Sequence, residues 1–245
     1  MRPAALVLAL FLFFSAEAFC QDENLIFFRI VHENTVISFT NKPSPPVPPM
    51  VGAIAMRLFD QPFSTEMVDS AFYQVNVTRN VVWQGSHVIQ YDYKPVASDR
   101  FRYVLWVAGK ADVVKLEIYN TTGVMMFSGA YLDAGKLPGY SVPAFKKVEA
   151  SKSFYGFSLV RTEEKDDGSI RMLFSDGLNR FSVFRERQTE AREPDTRVVY
   201  GNNVYNVTRN GYMYTVVGSI PYEKMEEMLE LIEIIPSGTA PSAHL

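Results

Sequence analysis

From about residue 70 onward the chain is a succession of short runs rich in valine, isoleucine, tyrosine, phenylalanine and tryptophan, separated by glycine, asparagine, aspartate or proline. β-Branched and aromatic side chains suit a pleated, half-buried surface, and the separators are the residues that turn a chain. Helical periodicity is clear in Glu223–Ile235, where Met225, Met228, Leu229 and Ile232 recur at three- and four-residue spacing, opposite Glu226, Glu227, Glu230 and Glu233. Pro221 stands just before that run, where a missing N–H costs nothing. This punctuation implies an α+β fold that is mostly antiparallel β, with that helix packed on a sheet.

The runs fall into two groups. In the first, Leu25–Val31 and Thr35–Phe39 read as a strand pair. Val81–Gln84 and His87–Tyr91 flank a tight turn at Gly85-Ser86, and Phe101–Val107, Val113–Tyr119 and Val124–Tyr131 come after them, so 71–131 reads as an antiparallel meander. In the second group, Phe154–Thr162, Ser169–Ser175, Arg180–Glu186, Val198–Val207 and Tyr212–Gly218 read as strands, with a hairpin turn at Asp166-Asp167-Gly168. Ala53–Phe59 and Ser64–Phe72 read as short helices. The prolines of 43–49 exclude regular structure there, and a rigid surface connection explains them better than a polyproline ligand. Gly135, Pro138, Gly139 and Pro143 mark 132–150 as a linker, so the expected organisation is a lobe at 19–131, a second lobe at 151–236, and a tail at 237–245.

The first eighteen residues read as a cleavable signal peptide: Arg2, the apolar run Ala4–Phe14, then Ala16-Glu17-Ala18 with small residues at the −3 and −1 positions. The apolar run is well short of the roughly 20 residues that a helix needs to cross a bilayer. Cys20 is the single cysteine, which excludes a disulfide within the chain and points to a bacterial periplasm over a eukaryotic secretory route. A lipid anchor at Cys20 is disfavoured because the bulky Phe19 precedes it.

No residue pattern supports catalysis, and no cofactor is expected. His32, His87 and His244 lack the cysteine or carboxylate spacing of a metal site or a general base. Ser175-Asp176-Gly177 lacks the Gly-x-Ser-x-Gly context of a nucleophile elbow. With 24 basic against 27 acidic residues the net charge of −3 leaves no footprint for nucleic acid. Asn76-Val77-Thr78, Asn120-Thr121-Thr122 and Asn206-Val207-Thr208 have the form of glycosylation acceptors, inert in a bacterial periplasm. The pentapeptide Asn-Val-Thr-Arg-Asn occurs at 76–80 and again at 206–210.

Two motifs remain distinctive: Ser175-Asp176-Gly177-Leu178 leading into Phe181-Ser182-Val183-Phe184, and Val216-Val217-Gly218-Ser219-Ile220-Pro221 leading into the helix. In their order and spacing they resemble the periplasmic sigma-E regulators of the RseB/MucB family, and Tyr103–Val107 with Lys115–Ile118 resembles a hairpin of that family's first lobe. The resemblance implies a two-lobed protein without catalytic activity. Its first lobe would be an open antiparallel barrel similar to the lipoprotein carriers LolA and LolB, and its second a small sheet covered by a helix. It also implies binding to the periplasmic segment of an anti-sigma factor of the RseA or MucA type, shielding that segment from regulated proteolysis, with lipid or lipopolysaccharide fragments as further ligands. The family has more strands before the region matching Leu25–Phe39, so the first lobe is expected to be shortened and its barrel incomplete. Ser219 stands where the family has an acidic residue.

Residues 151–235 are the expected partner-contact surface. The alternative is a periplasmic lipid or lipoprotein carrier, with Trp83, Tyr91, Trp106, Met125, Met126 and Phe127 lining an apolar receptacle, although such residues are more often plain core.

Overall fold

The computed structural model describes residues 26–40, 68–109, 112–131, 153–188 and 190–233. The expected signal peptide, Cys20, the proline stretch 43–49, the helix Ala53–Phe59, the linker 132–150 and the tail 237–245 lie outside the described residues.

Within them the protein is mostly antiparallel β, as the residue pattern requires. β1 (Ile26–His32), β2 (Thr35–Thr40), β3 (Tyr73–Trp83), β4 (Ser86–Pro95), β5 (Arg102–Ala108), β6 (Asp112–Tyr119) and β7 (Met125–Tyr131) form a seven-stranded sheet in the order β2-β1-β7-β6-β5-β4-β3. The expected meander is β3 to β7, and the β1–β2 hairpin joins its far side, with Ile30 opposite Phe127. Seven further strands, β8 (Ser153–Phe154), β9 (Phe157–Glu164), β10 (Ile170–Ser175), β11 (Arg180–Arg187), β12 (Asp195–Val199), β13 (Asn202–Arg209) and β14 (Tyr212–Gly218), form a second sheet in the order β12-β13-β14-β11-β10-β9-β8. Helix α1 (Tyr222–Glu233) comes directly after β14.

Each sheet has its own core. In the first, Phe28, Tyr93, Phe101, Leu105, Ile118 and Phe127 are buried together. In the second, Phe157, Phe174, Phe181 and Val216 meet Met225, Met228 and Leu229 of α1. Phe174 and Phe181 stack at 4.9 Å between ring centroids. The helix buries the apolar stripe read from its sequence and exposes Glu226, Glu227 and Glu230. Each fully buried Leu or Met of the stripe contributes about 1.5–3 kcal/mol.

Three readings need correction. Val198–Val207 is not one strand: the chain reverses at Tyr200-Gly201 to give β12 and β13. Phe154–Thr162 is likewise interrupted, at Tyr155-Gly156, so that β8 pairs back onto β9. Both turns have positive φ at both residues, 50° and 80° for Tyr155 and Gly156, 47° and 77° for Tyr200 and Gly201. That geometry matches the twist of a two-residue hairpin, but tyrosine is a costly occupant of the left-handed region, so neither turn announces itself. Finally, Val68–Phe72 is not helical: Asp69 Oδ1 accepts the Ala71 N–H at 2.8 Å and holds a turn that runs into β3.

Candidate functional site: the junction between the lobes

Antiparallel pairing places the β8–β9, β10–β11 and β12–β13 turns and the C-terminal end of β14 at one end of the second sheet. That end meets the end of the first sheet formed by the β1–β2 turn, the start of β3 and the approach to β5 (Glu33–Val198, Tyr73–Asp176 and Arg100–Asp176 contacts). The lobes therefore abut end to end, and both distinctive motifs lie in the contact.

Ser175-Asp176-Gly177-Leu178 is first a turn. Asp176 Oδ1 accepts the N–H groups of Leu178 at 2.9 Å and Asn179 at 2.7 Å, and Gly177 takes the φ of 100° that the turn demands. The other oxygen, Oδ2, faces the first lobe. It accepts the Tyr73 hydroxyl and the Arg100 Nη1, both at 2.7 Å. Asn179, fully buried, accepts the Phe101 N–H at 3.2 Å through Oδ1 and donates from Nδ2 to the Tyr73 hydroxyl. The Arg100 side chain is itself fully buried. It also donates to the Tyr155 carbonyl, pairs with Asp99 at 3.3 Å, and lies 4.1 Å and 4.6 Å above the Phe72 and Phe157 rings. An arginine held by two carboxylates, a carbonyl and two aromatic faces has its charge compensated as burial requires, although its Nε makes no hydrogen bond.

A second contact lies at the other side of the junction. The Glu33 N–H donates to the Val198 carbonyl at 2.8 Å, and the Gly201 N–H to the Val31 carbonyl at 2.7 Å. The His32 ring stacks on Tyr200 at 4.4 Å. The two Tyr-Gly turns thus press on the first lobe, as the Asp176 turn does. A Cβ at Gly156 would overlap the Phe72 ring, and one at Gly201 would lie 3.0 Å from the Met126 carbonyl. Between the two contacts, Ser219 of the second motif is hydrogen-bonded to the Tyr103 side chain.

Electrostatics reflect burial. Desolvation pushes the Tyr73 and Tyr103 phenols well above their ordinary range, with Asp176 adding to the shift in both. Desolvation also raises Asp176, opposed by its donors Tyr73, Leu178 and Arg100. Both Asp176 oxygens accept two bonds each, so the carboxylate has no lone pair aimed at a substrate. The chemistry of this cluster is cohesion between lobes.

The residues proposed from sequence as an apolar receptacle separate into two groups. Trp83 and Trp106 lie with Val88, Val104 and Val114, and the Lys115 ammonium sits 4.0 Å from the Trp106 ring. Met126 and Phe127 belong to the first lobe's main core, which Tyr91 borders, and Met125 is half-buried. His32 is at the junction, His87 is exposed on β4, and His244 lies outside the described residues. Among the described residues no group of three metal-ligating side chains gathers, and no helix is long and apolar enough to cross a membrane. Sequence reasoning missed Tyr73, Arg100 and Asn179, which carry no local signal because their partners lie 76 to 106 residues away.

Comparison with known proteins bears on this arrangement. Residues 144–233 match the MucB/RseB C-terminal domain. No curated protein matches the chain by sequence. Among solved structures, it is similar to MucB in complex with the periplasmic part of MucA, at 14% identity and a TM-score of 0.51 over 84% of this chain and 91% of that one. It is similar also to the Pseudomonas aeruginosa MucA/MucB complex (14% identity, TM-score 0.53, 84% and 91% covered) and to MucB alone (15%, 0.50, 83% and 90%). At these identities the likeness to solved structures concerns the fold, while the domain match falls on the lobe that carries both motifs. The family match is therefore to the C-terminal domain of the RseB/MucB family, over residues 144–233 of the chain.

Proposed function

We propose that the protein is a non-catalytic periplasmic regulator that binds the periplasmic segment of a membrane-spanning anti-sigma factor, of the RseA or MucA type, and denies that segment to a regulated protease. The observation that carries this reading is the MucB/RseB C-terminal domain at 144–233, joined through a buried polar cluster to a β-sheet lobe. A two-lobed fold of this kind is the one seen for MucB bound to MucA. The mechanism is steric: a folded surface holds an extended segment and occupies the backbone a protease would need. The second lobe, residues 151–235, supplies the main contact surface. The apolar residues considered for lipid fall in two separate clusters, which favours partner capture over carriage.

Removing residues 223–235 strips Met225, Met228, Leu229 and Ile232 from the core they share with the second sheet. The deletion is expected to abolish co-purification with the periplasmic segment of the single-span anti-sigma factor proposed as its partner. Full binding after that deletion would contradict the reading.

A further inference from the structure

Among the described residues, the four strands that end the two sheets are not equivalent. β8, β12 and β2 have 2, 5 and 6 residues, whereas β3 has 11 and is exposed along most of its length. Beyond β8 the outer side of β9 is guarded by Arg161, Glu163 and Glu164 and by an irregular register near Leu159–Arg161. β3 has a single charged residue, Arg79. Long, uncharged edges offer a row of main-chain donors and acceptors to another strand, and proteins that do not use such an edge usually blunt it.

The blunting device on β3 comes late. Its register against β4 is regular from Tyr73 opposite Pro95 to Thr78 opposite Gln90, and then shifts before Val81, with Asn80 at a φ of 59°. Such a bulge bends the strand and ends regular pairing. Tyr73–Thr78 is therefore left as a straight edge of six residues. Its two faces differ. Val75 and Val77, 41% and 48% exposed, stand on the side of Tyr73, opposite Tyr93 and Tyr91, and so prolong the first lobe's core face out to the edge. Gln74, Asn76 and Thr78, all exposed, form the other side. The edge also starts at the lobe junction, since Tyr73 is bonded to Asp176.

We propose that Tyr73–Thr78 is a strand-addition site that takes an extended segment of the partner polypeptide, about six residues long, with apolar side chains at alternate positions laid over Val75 and Val77. Main-chain bonds to β3 supply the docking, and the valine stripe selects the register, because a one-residue slip would turn the apolar side chains toward Gln74 and Asn76. This inference rests on the partner-binding reading and adds where the segment continues once it leaves the second lobe.

The test is a phage selection of random 12-residue peptides on the full chain, then affinity measurement on Val75→Lys/Val77→Lys. Both valines are exposed, so the variant is expected to fold as the wild type does, and an unchanged circular-dichroism melt checks it. Val160→Lys, an exposed valine on β9, is the control. The expected result is a family of peptides with alternating apolar residues, bound about tenfold or more weakly by the double variant and equally by the control. No enriched family, or peptides that bind the double variant as well as the wild type, overturns the proposal. A wild-type dimer that the double variant converts to monomer also overturns it, because the edge would then belong to a second copy of the chain. If the selection fails while the anti-sigma-factor segment still co-purifies, the edge assignment alone is lost.

Discussion

Asp176 divides its two carboxylate oxygens between the lobes: one closes its own turn on Leu178 and Asn179, the other holds Tyr73 and Arg100. The first half of that role is legible in the sequence, because aspartate before glycine is a turn signal wherever it occurs. The second half is not, because it depends on a tyrosine and an arginine brought in by a different sheet. Burial of these groups sets a pH dependence. Tyr73 and Tyr103 keep their protons in the folded protein well above the ordinary phenol range, whereas in the unfolded chain they ionise near pH 10. Tyr119, bonded to Glu117, is pushed up to about 12 in the same direction, chiefly by desolvation. A raised folded-state pKa gives stability that is complete below the unfolded value and falls as pH rises beyond it. Thermal melts are therefore expected to hold steady from about pH 8 to 9.5 and to fall above about pH 10. Each of the two buried phenols, Tyr73 and Tyr103, contributes about 1.4 kcal/mol per pH unit to that fall. A melting temperature unchanged between about pH 9 and 11 would contradict the burial of Tyr73 and Tyr103.

At the scale of elements, the pentapeptide Asn-Val-Thr-Arg-Asn shows how far local sequence determines structure. In both copies the first four residues are strand and the last asparagine takes a left-handed φ, 59° at Asn80 and 53° at Asn210. The next residue decides the outcome. Gly211 accepts a second positive φ and the chain reverses into β14, whereas Val81 does not and the chain continues past a bulge. Helix α1 and the five strands of the meander are legible for the same reason, since periodicity and turn chemistry agree there. The Tyr155-Gly156 and Tyr200-Gly201 turns are not, because tyrosine in the left-handed region is stabilised by contacts with the other lobe. The second motif shows a different constraint. Gly218 has ordinary φ, but a Cβ there would lie 2.3 Å from the Arg180 carbonyl and 2.4 Å from Phe181 Cβ. The glycine is required by the closeness of β11 and β14, where Phe181 stands opposite Gly218. Gly218→Ala is expected to lower the free energy of unfolding by about 3 kcal/mol in a urea titration. A loss under about 0.5 kcal/mol, the range of a neutral surface change, would show that the strands can part at no cost.

For the whole molecule, the division into two lobes is legible from the break in strand pattern after Tyr131, but their joining is not. The family resemblance implies a contact surface in the second lobe, and that lobe is bonded to the first at both sides of an end-to-end junction. The distinctive residues of both motifs serve this union, with Asp176 and Asn179 at one contact and Ser219 against Tyr103 at another. A partner segment lying across the junction would then meet one body instead of two. Breaking a buried ion pair by removing one partner costs about 3–5 kcal/mol, because the remaining charge is left without compensation. Differential scanning calorimetry of the wild type and of Asp176→Ala tests that union most directly. The expected result is a single transition in the wild type, and in the variant two transitions, with the first at markedly lower temperature as the lobes unfold separately. A variant that melts in one transition at the wild-type temperature would contradict the claim that Asp176 joins the lobes.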